Sequence, residues 1–395
     1  MAFPYIFVKF VCRLIYLLPG DCQVKVLQVV NFRWYNAQAH YGYVLSCALA
    51  ELGADVHLLA HPDSPLFSMA RSGCQGLRLI PFRFTGRGLF GYIGASGFVR
   101  KLLAEEGYDI VNVHRGEEHT LFSMCRKHTG QFSLIRTISD KRHTRKSIFS
   151  HHQLRRLTDG VICVSRSLLD DISIAGVPAD RLEYIPLGID TALFTPRKGG
   201  NLRARLGIAD DEIVVTILAR FSPVKGHSIF IQMARILSDR FANLHFLIVG
   251  YPAQISEDEI SAMIKDAGIE DKTSVIVGSR TVFDVLSTTD IGLIPSNGSE
   301  YIARTLLEYI ASGVPIVASN VGVLPDIITD DFGIVVDDIT PTAFADAVSS
   351  IINSGKIQQM GKFAREIAEK RYSIENFAKH TIDFYEKILE RKSSK

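Results

Sequence analysis

From about residue 24 onward, apolar and β-branched runs alternate with segments of helical period. Val24–Val30 reads as a strand, Tyr43–Leu52 as a helix and Asp55–Ala60 as a strand. The series continues with a strand at Arg78–Phe84, a helix at Gly97–Glu106 and strands at Asp109–His114, Phe132–Thr137 and Gly160–Ser165. A helix at Arg166–Ala175 and a strand at Leu182–Ile185 close it. Such βαβ alternation predicts a parallel sheet covered by helices. The polar, Pro/Gly-rich stretch Thr195–Asn201 interrupts it and reads as a linker. The alternation then restarts. Strands are expected at Ile213–Leu218, Leu244–Gly250, Ser274–Val277, Ile291–Pro295 and Ile316–Ala318, with a helix at Ser228–Ser238 and others between them. A long amphipathic helix, about Ile374–Glu390, ends in a basic tail. The expected division is an extension at 1–23, a domain at 24–195, a linker at 196–205, a second domain at 206–373 and the final helix at 374–395.

Length and composition add bounds. A chain of 395 residues exceeds what one core usually organises, so two domains are the default. Apolar residues make up 47% and charged residues 22%, ordinary values for a globular enzyme, and a net charge of +2 argues against nucleic-acid binding through bulk charge. None of the six cysteines forms a C-x-x-C pair or sits at zinc-ligand spacing to a histidine, which fits buried thiols in a reducing compartment. Residues 1–20 are apolar but interrupted by Lys9 and Arg13. They make a poor spanning helix and a poor signal peptide. A helix lying in a membrane interface and a tucked-in extension both stay open.

Gly86-Arg-Gly-Leu-Phe-Gly91 matches G-x-G-x-x-G, but it does not follow the first strand, where a dinucleotide fingerprint belongs. It reads as a flexible loop. The segment Asn297-Gly-Ser-Glu-Tyr-Ile-Ala-Arg-Thr-Leu-Leu-Glu308 carries more. A strand runs through a polar turn into a helix, with Glu300 at the turn and Glu308 inside the helix. Gly313 suits the helix stop and Pro315 prevents its continuation. A helix N-terminus at the carboxyl end of a parallel strand is where phosphates bind. Arg220 and Lys225 follow another strand end of the same sheet, and fixed cations there could neutralise a diphosphate leaving group. Exposed loop cations and a solvated helix face are the plain alternatives.

These motifs together resemble the donor domain of retaining GT-B glycosyltransferases of family 4. Arg-x4-Lys-Gly appears as Arg220-Phe-Ser-Pro-Val-Lys225-Gly226, and Glu-x7-Glu as Glu300…Glu308, followed by Gly313-Val-Pro315 and a strand. Gly-x-Asp-x3-Phe appears as Gly188-Ile-Asp190-Thr-Ala-Leu-Phe194. The resemblance implies two facing Rossmann-like doubly wound domains, a final helix crossing back to the first, and a cleft between them. It implies that Arg220 and Lys225 hold the donor diphosphate, Glu300 binds the transferred sugar and Glu308 the ribose. Backbone N–H groups at Ala303, Arg304 and Thr305 would meet phosphate, and Gly278 would approach the base. The donor would be a UDP- or GDP-linked sugar, used without cofactor or metal; the chain contains no Asp-x-Asp.

Two positions depart from the family pattern. Asn36-Ala37-Gln38-Ala39 stands where paired glycines often lie, and Ser139 stands where many members carry a histidine. Asp140 is adjacent, and the cluster His114-Arg-Gly-Glu-Glu-His119 ends a neighbouring strand. The candidate catalytic set is therefore Glu300, Lys225, Arg220, Asp140 and His114, with Asn36, Glu117, His119, Ser139 and Arg142 on the acceptor side. For His114 and His119 a satisfied polar residue is an equal alternative. The basic stretch 141–156, with Lys141, Arg142, Arg145, Lys146, Arg155 and Arg156, reads as a solvated face or as a surface for a phosphorylated lipid acceptor. The resulting expectation is retaining transfer to a glycan or lipid-linked acceptor in cell-surface polysaccharide or lipopolysaccharide synthesis. The protein would be cytoplasmic, peripheral on the inner face of the plasma membrane through residues 1–20 and 141–156, with no nucleic-acid partner. A sugar-nucleotide epimerase or hydrolase on the same fold, or an inactive sugar-binding subunit, are the alternatives.

Overall fold

A computed structural model describes residues 24–84, 88–126, 132–141, 148–196, 201–278, 282–298 and 300–394. Residues 1–20, Gly86, Arg87, Arg142, Arg145, Lys146, residues 197–200 of the linker and Ser299 lie outside that description. The described residues divide into two compact units, residues 24–188 with 374–394, and residues 189–373.

The first unit runs β1 (Lys25–Val29), α1 (Ala37–Glu51), β2 (Asp55–Ala60), α2 (Pro65–Gly73), β3 (Arg78–Pro81), α3 (Gly88–Glu106) and β4 (Ile110–Val113). It continues α4 (Gly116–Arg126), β5 (Ser133–Ile138), α5 (Ile148–Arg156), β6 (Gly160–Cys163), α6 (Arg166–Ile174) and β7 (Leu182–Tyr184). All seven strands are parallel, in the order β3-β2-β1-β4-β5-β6-β7. The order reverses between β1 and β4, which leaves a crevice at the carboxyl ends of those strands. On one face, Leu27, Val29, Val111, Val113 and Leu134 pack with Phe84, Val99, Leu103 and Phe122.

Helix α1 begins well before the expected Tyr43, because the Asn36 side chain caps it by accepting from the Ala39 N–H at 2.8 Å. The glycine run expected as a loop is helical from Gly88 onward. Its apolar positions pack on Phe82 and Phe84, with Phe98 stacked on Phe82 and Tyr92 edge-on to Phe84, and this packing overrides the low helix propensity of four glycines. Arg115–His119, expected at a strand end, instead leads into α4.

The second unit contains α7 (Leu202–Leu206), β8 (Ile213–Leu218), α8 (His227–Arg240), β9 (Leu244–Gly250), α9 (Glu257–Ala267), β10 (Thr273–Val277) and α10 (Val282–Thr288). It ends with β11 (Ile291–Ile294), α11 (Arg304–Ala311), β12 (Ile316–Ser319), α12 (Leu324–Ile327), β13 (Gly333–Val336), α13 (Pro341–Ser354) and α14 (Ile357–Arg371). Its six parallel strands are ordered β10-β9-β8-β11-β12-β13, so the reversal falls between β8 and β11. Val215, Ile217, Phe246, Ile248, Leu293 and Val317 bury one face against Phe230, Met233, Ile260, Phe344 and Val348. Residues 189–194 are held to this unit. Arg365 donates to the carbonyls of Thr191, Phe194 and Ala311, and the Ile189 N–H donates to the Tyr372 carbonyl at 2.8 Å.

The last helix, α15 (Ile374–Ser393), returns to the first unit. Its fully buried Tyr385 hydroxyl accepts from Gln28 Nε2 at 3.0 Å and Asn112 Nδ2 at 2.9 Å, tying it to β1 and β4. Among the described residues no helix is long and apolar enough to cross a membrane.

Candidate functional site

In the second unit a cavity of about 240 Å³ opens at the carboxyl ends of β8, β9 and β11, at the reversal of strand order. Its lining includes Arg220, Lys225, Glu300, Arg304, Thr305 and Glu308, so the residues singled out on separate loops do meet. Three cations face two carboxylates. Lys225 Nζ forms an ion pair with Glu300 Oε1, to which Ser296 also donates, at 2.6 Å. Arg304 Nε donates to Glu308 Oε1 at 2.7 Å, one helical turn away. Glu300 and Glu308 are both buried.

Two glycines position this chemistry. Gly226, next to Lys225, has φ +76°, and a Cβ there would lie 2.0 Å from the Pro295 carbonyl oxygen. Gly322 has φ +65°, and a Cβ would lie 2.1 Å from the Glu300 carbonyl oxygen. Only a residue without Cβ lets these loops approach so closely. The Glu300 carbonyl also accepts from the Val323 N–H at 2.7 Å. At the start of α11, Ala303 is the one non-glycine residue with positive φ among those described, at 40°. It supplies no side-chain cap. The first N–H groups of a helix have no internal partner, and here Arg304 and Thr305, which carry two of them, line the cavity. Gly278, φ +75°, follows β10 and donates its N–H to the Gly250 carbonyl at 2.8 Å. Gly278 and Ala303 are not among the side chains that line the cavity.

The first unit treats its candidates differently. His114 is 3% exposed, and its Nε2 lies 3.0 Å from Gln28 Oε1. Burial, aided by Arg136, drives its pKa down to about 3. His119 is also buried, its Nε2 lies 2.7 Å from Thr158 Oγ1, and its pKa is likewise pushed down to about 3 by burial and then Arg136. Both match the satisfied buried residue. Asp140 is buried and accepts from Gln38 Nε2 at 2.9 Å, with Ser139 buried beside it. Asn36 is committed to capping α1, and Glu117 pairs with Arg115 at 3.0 Å. Arg142 lies outside the described residues.

Sequence reasoning missed Ser296, Gly322 and Arg136. Ser296 was legible as a polar residue following an apolar strand, four positions before Glu300. Gly322 gives no local signal, because its partner is twenty-two residues away in sequence. Arg136 announces itself as a charge inside an apolar strand.

Two Rossmann-like parallel-sheet units with a last helix returning to the first define the GT-B class of glycosyltransferases. Residues 38–193 match the family Glycosyltransferase Family 4, and residues 200–369 match Glycosyl transferases group 1. The chain belongs to the family 4 glycosyltransferases. A D-inositol 3-phosphate glycosyltransferase of Xylanimonas cellulosilytica is 25% identical over 309 residues, covering 74% of this chain and 70% of the relative. For other relatives with the same description the chain spans about half of their length. A glycosyltransferase of Rickettsia africae superposes with a TM-score of 0.80 at 15% identity, covering 93% of this chain and 99% of its own. Anabaena Alr3699/HepE in complex with UDP gives 0.77 at 18% identity, covering 94% and 100%.

Proposed function

We propose that the protein transfers a sugar, with retention at the anomeric carbon, from a UDP- or GDP-linked donor to a glycan or lipid-linked acceptor. The observation that carries this reading is the single cavity that gathers Arg220, Lys225, Glu300, Glu308 and the uncapped start of α11. A diphosphate suits Arg220, Lys225 and the open N–H groups near residues 303–305. Glu308 suits ribose hydroxyls and Glu300 sugar hydroxyls, since a buried carboxylate accepts from such groups. Lys225 pairs with Glu300. With donor bound, the ammonium turns to the phosphate and the carboxylate to the sugar.

The chemistry asks for charge stabilisation more than for a strong base. The bond from the anomeric carbon to the diphosphate breaks, and the acceptor oxygen bonds to that carbon on the same face. The acceptor's proton passes to the departing phosphate oxygen. Negative charge builds on the leaving group, and fixed cations there lower the barrier. The UDP held by Alr3699/HepE supports a uridine nucleotide. The exposed Arg155 and Arg156 at the end of α5 suit a phosphorylated carrier at the inner face of the plasma membrane, as in polysaccharide or lipopolysaccharide synthesis.

The test is a thermal-shift panel with UDP-glucose and GDP-mannose, followed by proton NMR of any glycoside formed. A donor that binds the folded state raises the melting temperature. No shift with either nucleotide class, or a product of inverted anomeric configuration, would remove the reading.

A further inference from the structure

We propose that a second site, in the first unit, takes a compact oxyanion, a phosphate or a carboxylate carried on the acceptor. The word acceptor rests on the glycosyl-transfer reading, whereas the anion site does not. It stands on Arg136, which sits in β5 and is 3% exposed. The guanidinium has five N–H donors. One nitrogen, NH1, donates to the Val113 carbonyl at 3.0 Å. Among the described residues no carboxylate lies within ion-pair distance of it. A single neutral hydrogen bond offsets only a small part of the cost of taking an ion out of water. Solvent in an adjacent cavity lowers that cost but brings no counter-charge.

The guanidinium faces such a cavity, of about 320 Å³, lined also by Gly116, Glu117, His119, Thr120 and Gln153. It lies at the carboxyl ends of β4 and β5, on the edge of the sheet where open α/β sheets bind ligands. Gly116 and Glu117, the first residues of the eleven-residue helix α4, are part of that lining. The lining is a built one. Gln153 Nε2 donates to Thr120 Oγ1 at 3.2 Å, and Thr120 donates to the Gly116 carbonyl at 3.1 Å. Thr158 donates to the Gln153 carbonyl at 3.0 Å, so its oxygen accepts from His119 Nε2–H.

The nearest acidic groups do not neutralise Arg136. Glu118 Oε1 accepts from Asn31 at 3.0 Å and faces Arg115 at 3.3 Å. Glu117 pairs with Arg115, and Asp140 accepts from Gln38. Burial lowers the Arg136 pKa to about 10, against the pull of Glu118, Glu117 and Asp140, which leaves it charged at neutral pH. A planar, permanently charged fork with donors turned to a cavity matches a phosphate or a carboxylate.

Calorimetric titration of the full chain with inorganic phosphate, and separately with sodium glucuronate, tests this. Wild type, Arg136→Gln, Gln153→Glu and Lys225→Ala are compared, and UDP-glucose is titrated into each. With UDP present to fill the cavity of the second unit, the expected result is a saturable anion site that survives Lys225→Ala and weakens at least tenfold in Arg136→Gln and Gln153→Glu. The glutamate is isosteric with Gln153 and places a competing carboxylate in the cavity, so it decides the matter if Arg136→Gln does not fold. Saturation by phosphate alone marks a phosphorylated acceptor, and by glucuronate alone a carboxylated one. No saturable binding of either anion to wild type, or binding unchanged by the substitutions, overturns the proposal. That failure with normal UDP-glucose binding leaves the donor reading standing, whereas absent UDP-glucose binding with an intact anion site removes the donor reading alone.

Discussion

Lys225→Ala removes an ammonium group that pairs with Glu300 and, on the proposed function, also meets the leaving group, so its two costs are separable. Lys225 balances buried Glu300, with side-chain exposures of 20% and 9%. Breaking a fully buried pair costs about 3–5 kcal/mol. Breaking an exposed pair costs under about 1 kcal/mol. Ser296 remains to bond Glu300, and solvent reaches the cavity. A loss of about 2 kcal/mol follows, and for a unit of this size that lowers its melting temperature by roughly 4–8 °C. In the transition state of the proposed transfer the same group would face leaving-group charge. Losing one preorganised charge-stabilising donor reduces turnover roughly 10²–10³-fold, or about 2.7–4 kcal/mol. Turnover per folded molecule, from initial rates of nucleotide release beside a calorimetric melt, reads both numbers. A folded variant turning over within about threefold of wild type would refute the assignment of Lys225 to the leaving group.

Glu308→Ala is expected to weaken donor binding about tenfold in calorimetry while leaving the fold intact; unchanged affinity counts against a ribose contact. Gly226→Ala forces a Cβ onto the Pro295 carbonyl in left-handed backbone, so stability falls by at least about 1 kcal/mol and Lys225 shifts. Turnover should drop with it, and a variant as active and stable as wild type would show the close approach to be dispensable. Burial holds His114 and His119 near pKa 3 and His227 near 4, against 6.5 unfolded. Below about pH 6.5 the unfolded chain binds more protons, so the stability present above that pH is lost toward pH 4, by up to about 1.4 kcal/mol per pH unit per group. Melts at pH 7.5 and 5.0 should differ, and by less in His114→Gln; equal melting temperatures would contradict the buried placement.

Much of the fold was legible because parallel strands buried on both faces leave unbroken apolar runs. Ile213–Leu218 and Leu244–Gly250 are strands with the expected limits. Elements were lost where side chains from elsewhere decide the outcome. The short strand Gly333–Val336 follows Asp330-Asp331-Phe332, only one apolar residue after an acidic pair, and shows only by pairing with β12. The helix from Gly88 depends on packing against Phe82 and Phe84. The cavity of the second unit was readable because each of its loops follows a strand end of one parallel sheet. His114 was not, because a histidine ending a strand gives no sign of which helix will cover it. Here α1 does, with Gly42 beside its ring and Tyr41 tilted against it.

The return of α15 has a consequence for how the protein is made. Gln28 and Asn112 are buried amides whose partner, Tyr385, lies in α15, more than 270 residues further along the chain. A buried amide left unpaired costs about 1–3 kcal/mol. Gly160 and Gly188 are also shaped to receive Phe384 and Phe377, whose rings crowd any Cβ there. During synthesis the first half of the chain emerges first, yet its buried amides find their partner only once α15 is translated. The second unit, whose own residues are contiguous, completes earlier. A nascent chain stalled near residue 373 would thus carry a finished second unit and an open first unit, and a nonsense codon in α15 would unravel the first unit.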